Sequence, residues 1–209
     1  ANHQAELDLL SEIGIVGREK VGSVLLYGNR PIDSMRDIAL PSDSSTSSML
    51  LRWIMKERGL DPKFVEMGPD LDSMLEECDG ALIIGDRAIS AASSKSSMVQ
   101  MDLAKEWNEI TGFPMVFGVF AARNDSQYTL VNDAREAMLE QYNSFLEDEQ
   151  VRQTVISSSS EKIGLPPERV SVYFEDEVSN ILDEDSIKGL ETFLKNVCGA
   201  DSEISWIGN

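Results

Sequence analysis

The stretch Ile38-Ala39-Leu40-Pro41-Ser42-Asp43-Ser44-Ser45-Thr46-Ser47-Ser48 constrains this chain more than any other. An apolar strand ends at Pro41, six of the next seven residues carry hydroxyls, and the amphipathic run Met49-Leu50-Leu51-Arg52-Trp53-Ile54-Met55-Lys56 follows. A strand, a hydroxyl-rich turn and a helix start in this order belong to an α/β layer. The helix start leaves N–H groups without intrahelical acceptors at the positive end of the dipole. Hydroxyls add donors that rotate to suit a ligand. The turn therefore reads in two ways: as an anion site, or as a plain cap in which Ser44 or Ser45 ends the helix.

Short strands and helices alternate around it. Val21 to Gly28, Asp37 to Leu40, Lys63 to Met67 and Gly80 to Asp86 are β-rich or apolar runs bounded by turn signals. A helix is expected over about Ser47 to Arg58, stopped by Gly59, and another over Pro69 to Glu76 with acids in its first turn. The unbroken apolar run Gly80-Ala81-Leu82-Ile83-Ile84 suits a strand buried on both faces, as in a parallel sheet. Ser93 to Ser97 reads as a surface loop, Asp102 to Ile110 as a helix stopped by Gly112 and Pro114, and Met115 to Ala122 as a strand. Beyond Arg123 the texture turns acidic and helical: about Leu130 to Glu147, Asp148 to Lys162, and Asp185 to Val197, with a short strand near Val178 to Leu182. The expected organisation is an N-terminal connection over 1–20 belonging to a truncated first lobe, an α/β lobe with mostly parallel pairing over 21–121, and a helical segment over 122–209 that completes the first lobe.

Composition narrows the function. A formal charge of −19 argues against nucleic acid and acidic membrane as partners, since both need a basic surface. No run approaches the ~18 apolar residues of a membrane span, and the start Ala1-Asn2-His3-Gln4-Ala5-Glu6-Leu7 has no secretory signal, so a cytoplasmic protein is expected. Cys78 and Cys198 are far apart and form no metal spacing; buried reduced thiols are expected. His3 is the only histidine, which argues against zinc catalysis and against a Ser-His-Asp triad or Cys-His pair. No metal or cofactor is expected.

Ligands of open parallel sheets bind outside the carboxyl ends of the strands. Three features fall there: Ser42 to Ser48, Gly85-Asp86-Arg87, and Ala122-Arg123. Asp86 orients a substrate hydroxyl, acts as a base, or caps the helix that follows, capping being the commoner fate. Arg87 and Arg123 can match a carboxylate bidentately, although surface ion pairing suits Arg87 better in so acidic a chain. Ser23 stands alone as a hydroxyl inside an apolar strand, where a serine most often bonds locally. Trp53 and Trp107 suit a core or a cleft wall.

Gly22-Ser23-Val24-Leu25-Leu26 and Ile38 to Ser47, then Ile83-Ile84-Gly85-Asp86-Arg87-Ala88-Ile89, Asp102-Leu103-Ala104-Lys105-Glu106-Trp107 and Thr111 to Arg123, resemble in order and spacing the chorismate dehydratases of the futalosine route to menaquinone. The resemblance runs from about Leu9 to Phe193. It implies a two-lobed fold like the type II periplasmic binding proteins, with one lobe incomplete in this chain and ligand bound between the lobes. It implies further that Ser23 lies at the reacting ring, and that Ser42, Ser44, Ser45, Thr46, Ser47, Gly85, Asp86 and Arg123 bind substrate. The family begins with another strand-helix-strand segment carrying an active-site asparagine, which Asn2 does not match; the sequence is then a fragment, or another chain supplies that segment, or the chemistry is lost.

The substrate so implied, chorismate, is a dicarboxylate, which local N–H and hydroxyl donors can hold even in an acidic protein. Loss of the ring hydroxyl and a neighbouring proton gives 3-[(1-carboxyvinyl)oxy]benzoate. Aromatisation drives the step, so orientation and charge stabilisation matter more than a strong base. The runner-up is a non-catalytic solute- or metabolite-binding protein of the same fold. The sister enzyme that makes 1,4-dihydroxy-6-naphthoate fits the motifs less well. A homodimer stays open.

Overall fold

The structure is a computed structural model that describes residues 6–200 and 203–208; Asn2 and His3 lie outside them. In chain order the elements begin with β1 (Leu7–Gly17), β2 (Val24–Gly28), β3 (Asp37–Pro41), α1 (Ser45–Glu57), β4 (Lys63–Met67), α2 (Leu71–Glu77), β5 (Gly80–Ile84) and α3 (Asp86–Ser94). β6 (Val99–Asp102), α4 (Leu103–Thr111), β7 (Met115–Arg123), α5 (Tyr128–Glu147), α6 (Glu149–Ile163) and α7 (Pro167–Val172) come next, then β8 (Val178–Ile181), α8 (Glu184–Asn196) and β9 (Trp206–Ile207). They form two compact units, one of Arg18–Gly112 and one of the residues up to Gly17 with those from Phe113 onward.

In the Arg18–Gly112 unit five strands lie in the order β4-β3-β5-β2-β6. β3 runs parallel to β4 and β5, while β2 is antiparallel to β5 and β6, so the sheet is mixed rather than mostly parallel. The physical reason is the connection after β2. Asn29 to Arg36 turns the chain with only a 3-10 helix over Ile32–Ser34, and without a crossover helix the chain returns in the opposite direction. β2, β3 and β5 are buried almost throughout. On one face Tyr27, Ala39, Ala81 and Ile83 pack with Leu71, Met74 and Leu75 of α2 and Ala88 of α3. α1 buries Leu50, Leu51, Ile54 and Met55, one stripe of a 3.6-residue period. α1 meets α4 at Trp53 and Trp107, whose rings are 5.3 Å apart, and at the Arg58–Glu106 pair. Trp107 is core, fully buried. Ser96–Met98 is a 3-10 turn leading into β6, a strand that the serine-rich composition there hides.

The other unit is built on the sheet β7-β1-β8, with β9 pairing β1 in parallel. Residues 1–20, expected as a connection, contain the 11-residue strand β1. Its register slips twice, between Leu9 and Gly14 and between Ile15 and Val16, and Glu12 sits at φ 65. These two shifts of register destroy the alternation by which a strand is read from sequence. β7, expected in the α/β lobe, pairs with β1 instead, so the unit boundary falls at Gly112 rather than near Ala121. Val16, Val116, Leu182 and Leu190 form the centre of this unit's core. Both cysteines are free thiols, Cys78 buried and Cys198 half-buried, and burial pushes both thiols up.

Candidate functional site

Strand direction gathers most of the expected residues at one edge of the five-stranded sheet. β3 and β5 run in parallel register, Ile38 against Gly80 and Ala39 against Ala81, so Ser42 and Gly85 follow them out at the same end. Because β2 is antiparallel, Val24 against Ile84, its amino end brings Ser23 to that edge as well. Two backbone hydrogen bonds close the arrangement: Gly85 N–H donates to the Ser23 carbonyl at 2.7 Å, and Ser42 N–H donates to the Met67 carbonyl at 3.1 Å. Ser23 itself is buried.

The hydroxyl-rich turn caps the helix that follows it. Ser44 is the cap: extended at φ −142, it accepts the Ser47 N–H at a long 3.4 Å. α1 thus begins at Ser45, two residues ahead of its expected start, with three hydroxyls of the turn inside its first turn. The N–H groups of Ser45 and Thr46 have no intrahelical acceptor. Ser42 and Ser45 are exposed, Ser44 and Thr46 half-buried, and Ser47 buried. The Ser48 hydroxyl oxygen is enclosed and has no hydrogen-bond partner.

At the end of β5 the cap is not the expected residue. Gly85 is the N-cap of α3, at φ 64 and ψ −147, and Asp86 is the first helical residue with its carboxylate exposed and making no cap bond. That backbone conformation is open to glycine and strained for any L side chain, which is why the cap falls there. The Tyr27 hydroxyl donates to the Ala88 carbonyl at 2.8 Å and ties the same turn of α3 to β2. Burial raises the phenol to about 12, so it remains a neutral donor. Arg87 pairs with Asp43 of the hydroxyl turn, the surface pairing its setting favours. The pair is about half exposed and contributes little stability, but it links the two helix starts.

Arg123 belongs to the other unit. It ends β7, exposed, and its guanidinium grips Asp125 through bonds of 3.0 and 3.2 Å. A cavity of about 710 Å³ in that unit, lined by Phe120, Tyr142, Phe145 and Phe174 among others, collects none of the residues expected from sequence.

One contributor escaped the sequence reading. Asp102 was legible only as a helix start, and it does cap α4, accepting Ala104 and Lys105 N–H at 3.0 and 3.2 Å. Its other oxygen accepts Val21 and Gly22 N–H at 3.0 and 2.8 Å, immediately before Ser23. No local pattern announces a bond between residues 80 positions apart.

Chemically this edge offers rotatable hydroxyls and unbonded helix N–H groups, a set suited to a carboxylate. Among the described residues no three His, Cys, Asp or Glu side chains cluster as a metal site would need, and no helix is long and apolar enough to cross a membrane.

A family model described as menaquinone biosynthesis matches residues 1–197. A chorismate dehydratase of Thermus thermophilus is 32% identical, over 66% of this chain and 57% of its own length, so the chain spans little more than half of that relative. Among solved structures, protein AF1704 of Archaeoglobus fulgidus is similar at TM-score 0.72 and 22% identity, over 93% of this chain and 73% of its own. The periplasmic aliphatic sulphonate binding protein SsuA of Escherichia coli is similar at TM-score 0.56 and 15% identity, over 88% of this chain and 64% of its own. These likenesses establish a periplasmic-binding-protein-like fold.

Proposed function

The chain belongs to the menaquinone biosynthesis family, and from that premise we propose that it is a chorismate dehydratase-like hydro-lyase, converting chorismate to 3-[(1-carboxyvinyl)oxy]benzoate and water. The observation that carries this reading is the meeting of Ser23, the Ser42–Ser47 turn and Gly85-Asp86 at one sheet edge. These are the positions at which the chain resembles that family. Ser44, Ser45, Thr46 and Ser47 hold a substrate carboxylate through hydroxyls and the first-turn N–H groups of α1. Neutral donors and a helix dipole suffice for this in a protein of formal charge −19. Ser42 and Asp86 edge the site, and Gly85 sets the backbone on which it rests. Ser23 meets the ring. The ring hydroxyl leaves with its bonding pair, the electrons of the neighbouring C–H bond form the new double bond, and hydroxide and proton depart as water. The aromatic ring so formed supplies the driving force, and the protein supplies orientation. Arg123, already held by Asp125, takes no part in this proposal. On this reading the protein is a cytoplasmic lyase of the futalosine route.

Incubation with chorismate of a version carrying the N-terminal segment with which the family begins, followed by mass spectrometry, tests the reading: the enolpyruvyl benzoate should accumulate. Ser23→Ala should lower turnover by at least about tenfold, the scale on which misplaced or missing contacts at a reacting group act. An unchanged rate removes Ser23 from the site. Saturable binding of chorismate without product favours a non-catalytic metabolite-binding protein of the same fold.

A further inference from the structure

Asp102 is a carboxylate that accepts four backbone N–H groups, and they belong to two different pieces of chain. Oδ1 takes Ala104 and Lys105 N–H at 3.0 and 3.2 Å, the ordinary work of a helix cap. Oδ2 takes Val21 and Gly22 N–H at 3.0 and 2.8 Å. The residue that follows, Ser23, is held from its other side by the Gly85 N–H on its carbonyl at 2.7 Å. Gly22 stands at φ 59, a conformation an L side chain rarely adopts, so the approach to Ser23 is a bend rather than a continued strand. A bend of this kind has no ladder partners of its own, and its N–H groups need an acceptor from elsewhere. The register Leu25 against Asp102 brings that acceptor to the place where the bend needs it.

We propose that Asp102 is a positioning residue for Ser23: by taking the two N–H groups ahead of Ser23 it fixes where that hydroxyl stands at the sheet edge. The inference rests on the function proposed above for Ser23. An ionised oxygen makes stronger bonds to backbone N–H than a neutral acceptor does, and here one anion serves strand end, bend and helix start together. Asp102 acts through Ser23 and does not itself meet substrate.

The substitution Asp102→Asn separates the two duties. Asparagine caps helices as well as aspartate does, so its single carbonyl oxygen can keep α4, while its amide NH₂ presents donors to the N–H groups of Val21 and Gly22. Hydrogen exchange at single amides should then rise about tenfold or more at Val21 and Gly22 and stay unchanged along α4, since a buried donor has lost its acceptor. With chorismate, kcat should fall by about tenfold or more while KM changes by less than about threefold, because the carboxylate-holding turn is untouched and the reacting group is displaced. Asp102→Ser keeps a capping oxygen and leaves room for water beside Val21 and Gly22; it replaces the asparagine variant if that one does not fold and should show the same pattern. Exchange at Val21 and Gly22 equal to the unsubstituted protein overturns the proposal. So does raised exchange with kcat unchanged. An unsubstituted protein that leaves chorismate intact counts against the proposed function instead, and the exchange comparison, which needs no ligand, still decides whether Asp102 holds the bend.

Discussion

Single residues at the sheet edge are fixed by backbone demands before chemistry enters. Gly85 is the clearest case: φ 64 with nothing within 4 Å of where a Cβ would stand means that conformation, not space, requires glycine. Gly85→Ala should therefore cost about 1–3 kcal/mol with no steric clash, read as a lowered urea midpoint at unchanged slope. A neutral outcome would show that the turn re-forms in another conformation. Asp86 illustrates the opposite lesson. An aspartate directly after a strand suggests a cap, but the cap bond depends on which residue leaves helical geometry, and Gly85 does so one position earlier. Its carboxylate is exposed in consequence.

Among the elements, α1 carries the most weight, because it joins a buried stripe to the hydroxyl turn. The stripe of Leu50, Leu51, Ile54 and Met55 holds the helix to the sheet, each side chain contributing about 1.5–3 kcal/mol through burial. The cap adds less. The Ser44–Ser47 bond is long at 3.4 Å, so Ser44→Ala should cost about 0.5 kcal/mol, the low end for cap removal. Thermal unfolding would check this, and a loss several times larger would mean that Ser44 does more than cap. α3 is placed by different means, through Gly85, the Tyr27 hydroxyl and the Arg87–Asp43 pair. Two helix starts at one sheet edge thus rest on different caps and are joined by the exposed Arg87–Asp43 pair, so a change at one cap should leave the other in place.

For the whole molecule, charge sets the terms. At −19 the chain repels itself near neutral pH, and its carboxylates stay tolerable where a cation meets them. Asp79 is the case with the largest consequence. Bonded by Arg36 and flanked by Arg30, it is held at about 2, below the ~3.9 of an unfolded aspartate. A depressed carboxyl stabilises the fold above its unfolded pKa and loses that contribution as pH falls toward the folded value. Stability should therefore drop between about pH 4 and pH 2, and Asp79→Asn should flatten that part of the profile. Urea midpoints at several pH values would show it, and parallel profiles for the two proteins would deny Asp79 the role.

The sequence by itself determined a good deal. Apolar runs bounded by turns located β2 to β5, spacing with terminal glycines located α1 and α4, and first-turn acids located α2, because period and end signals are local properties of the chain. Family resemblance rested on the same local stretches. Tertiary structure alone decided strand direction, since the absence of a crossover helix after β2 reverses the chain and brings Ser23 beside Gly85. It decided that β7 belongs with β1, whose two shifts of register hide a strand from any count of alternation. It decided that Asp102 reaches back to the bend before Ser23. In each instance the deciding interaction joins backbone groups far apart in sequence, and side-chain patterns carry no record of which distant N–H a given oxygen will meet.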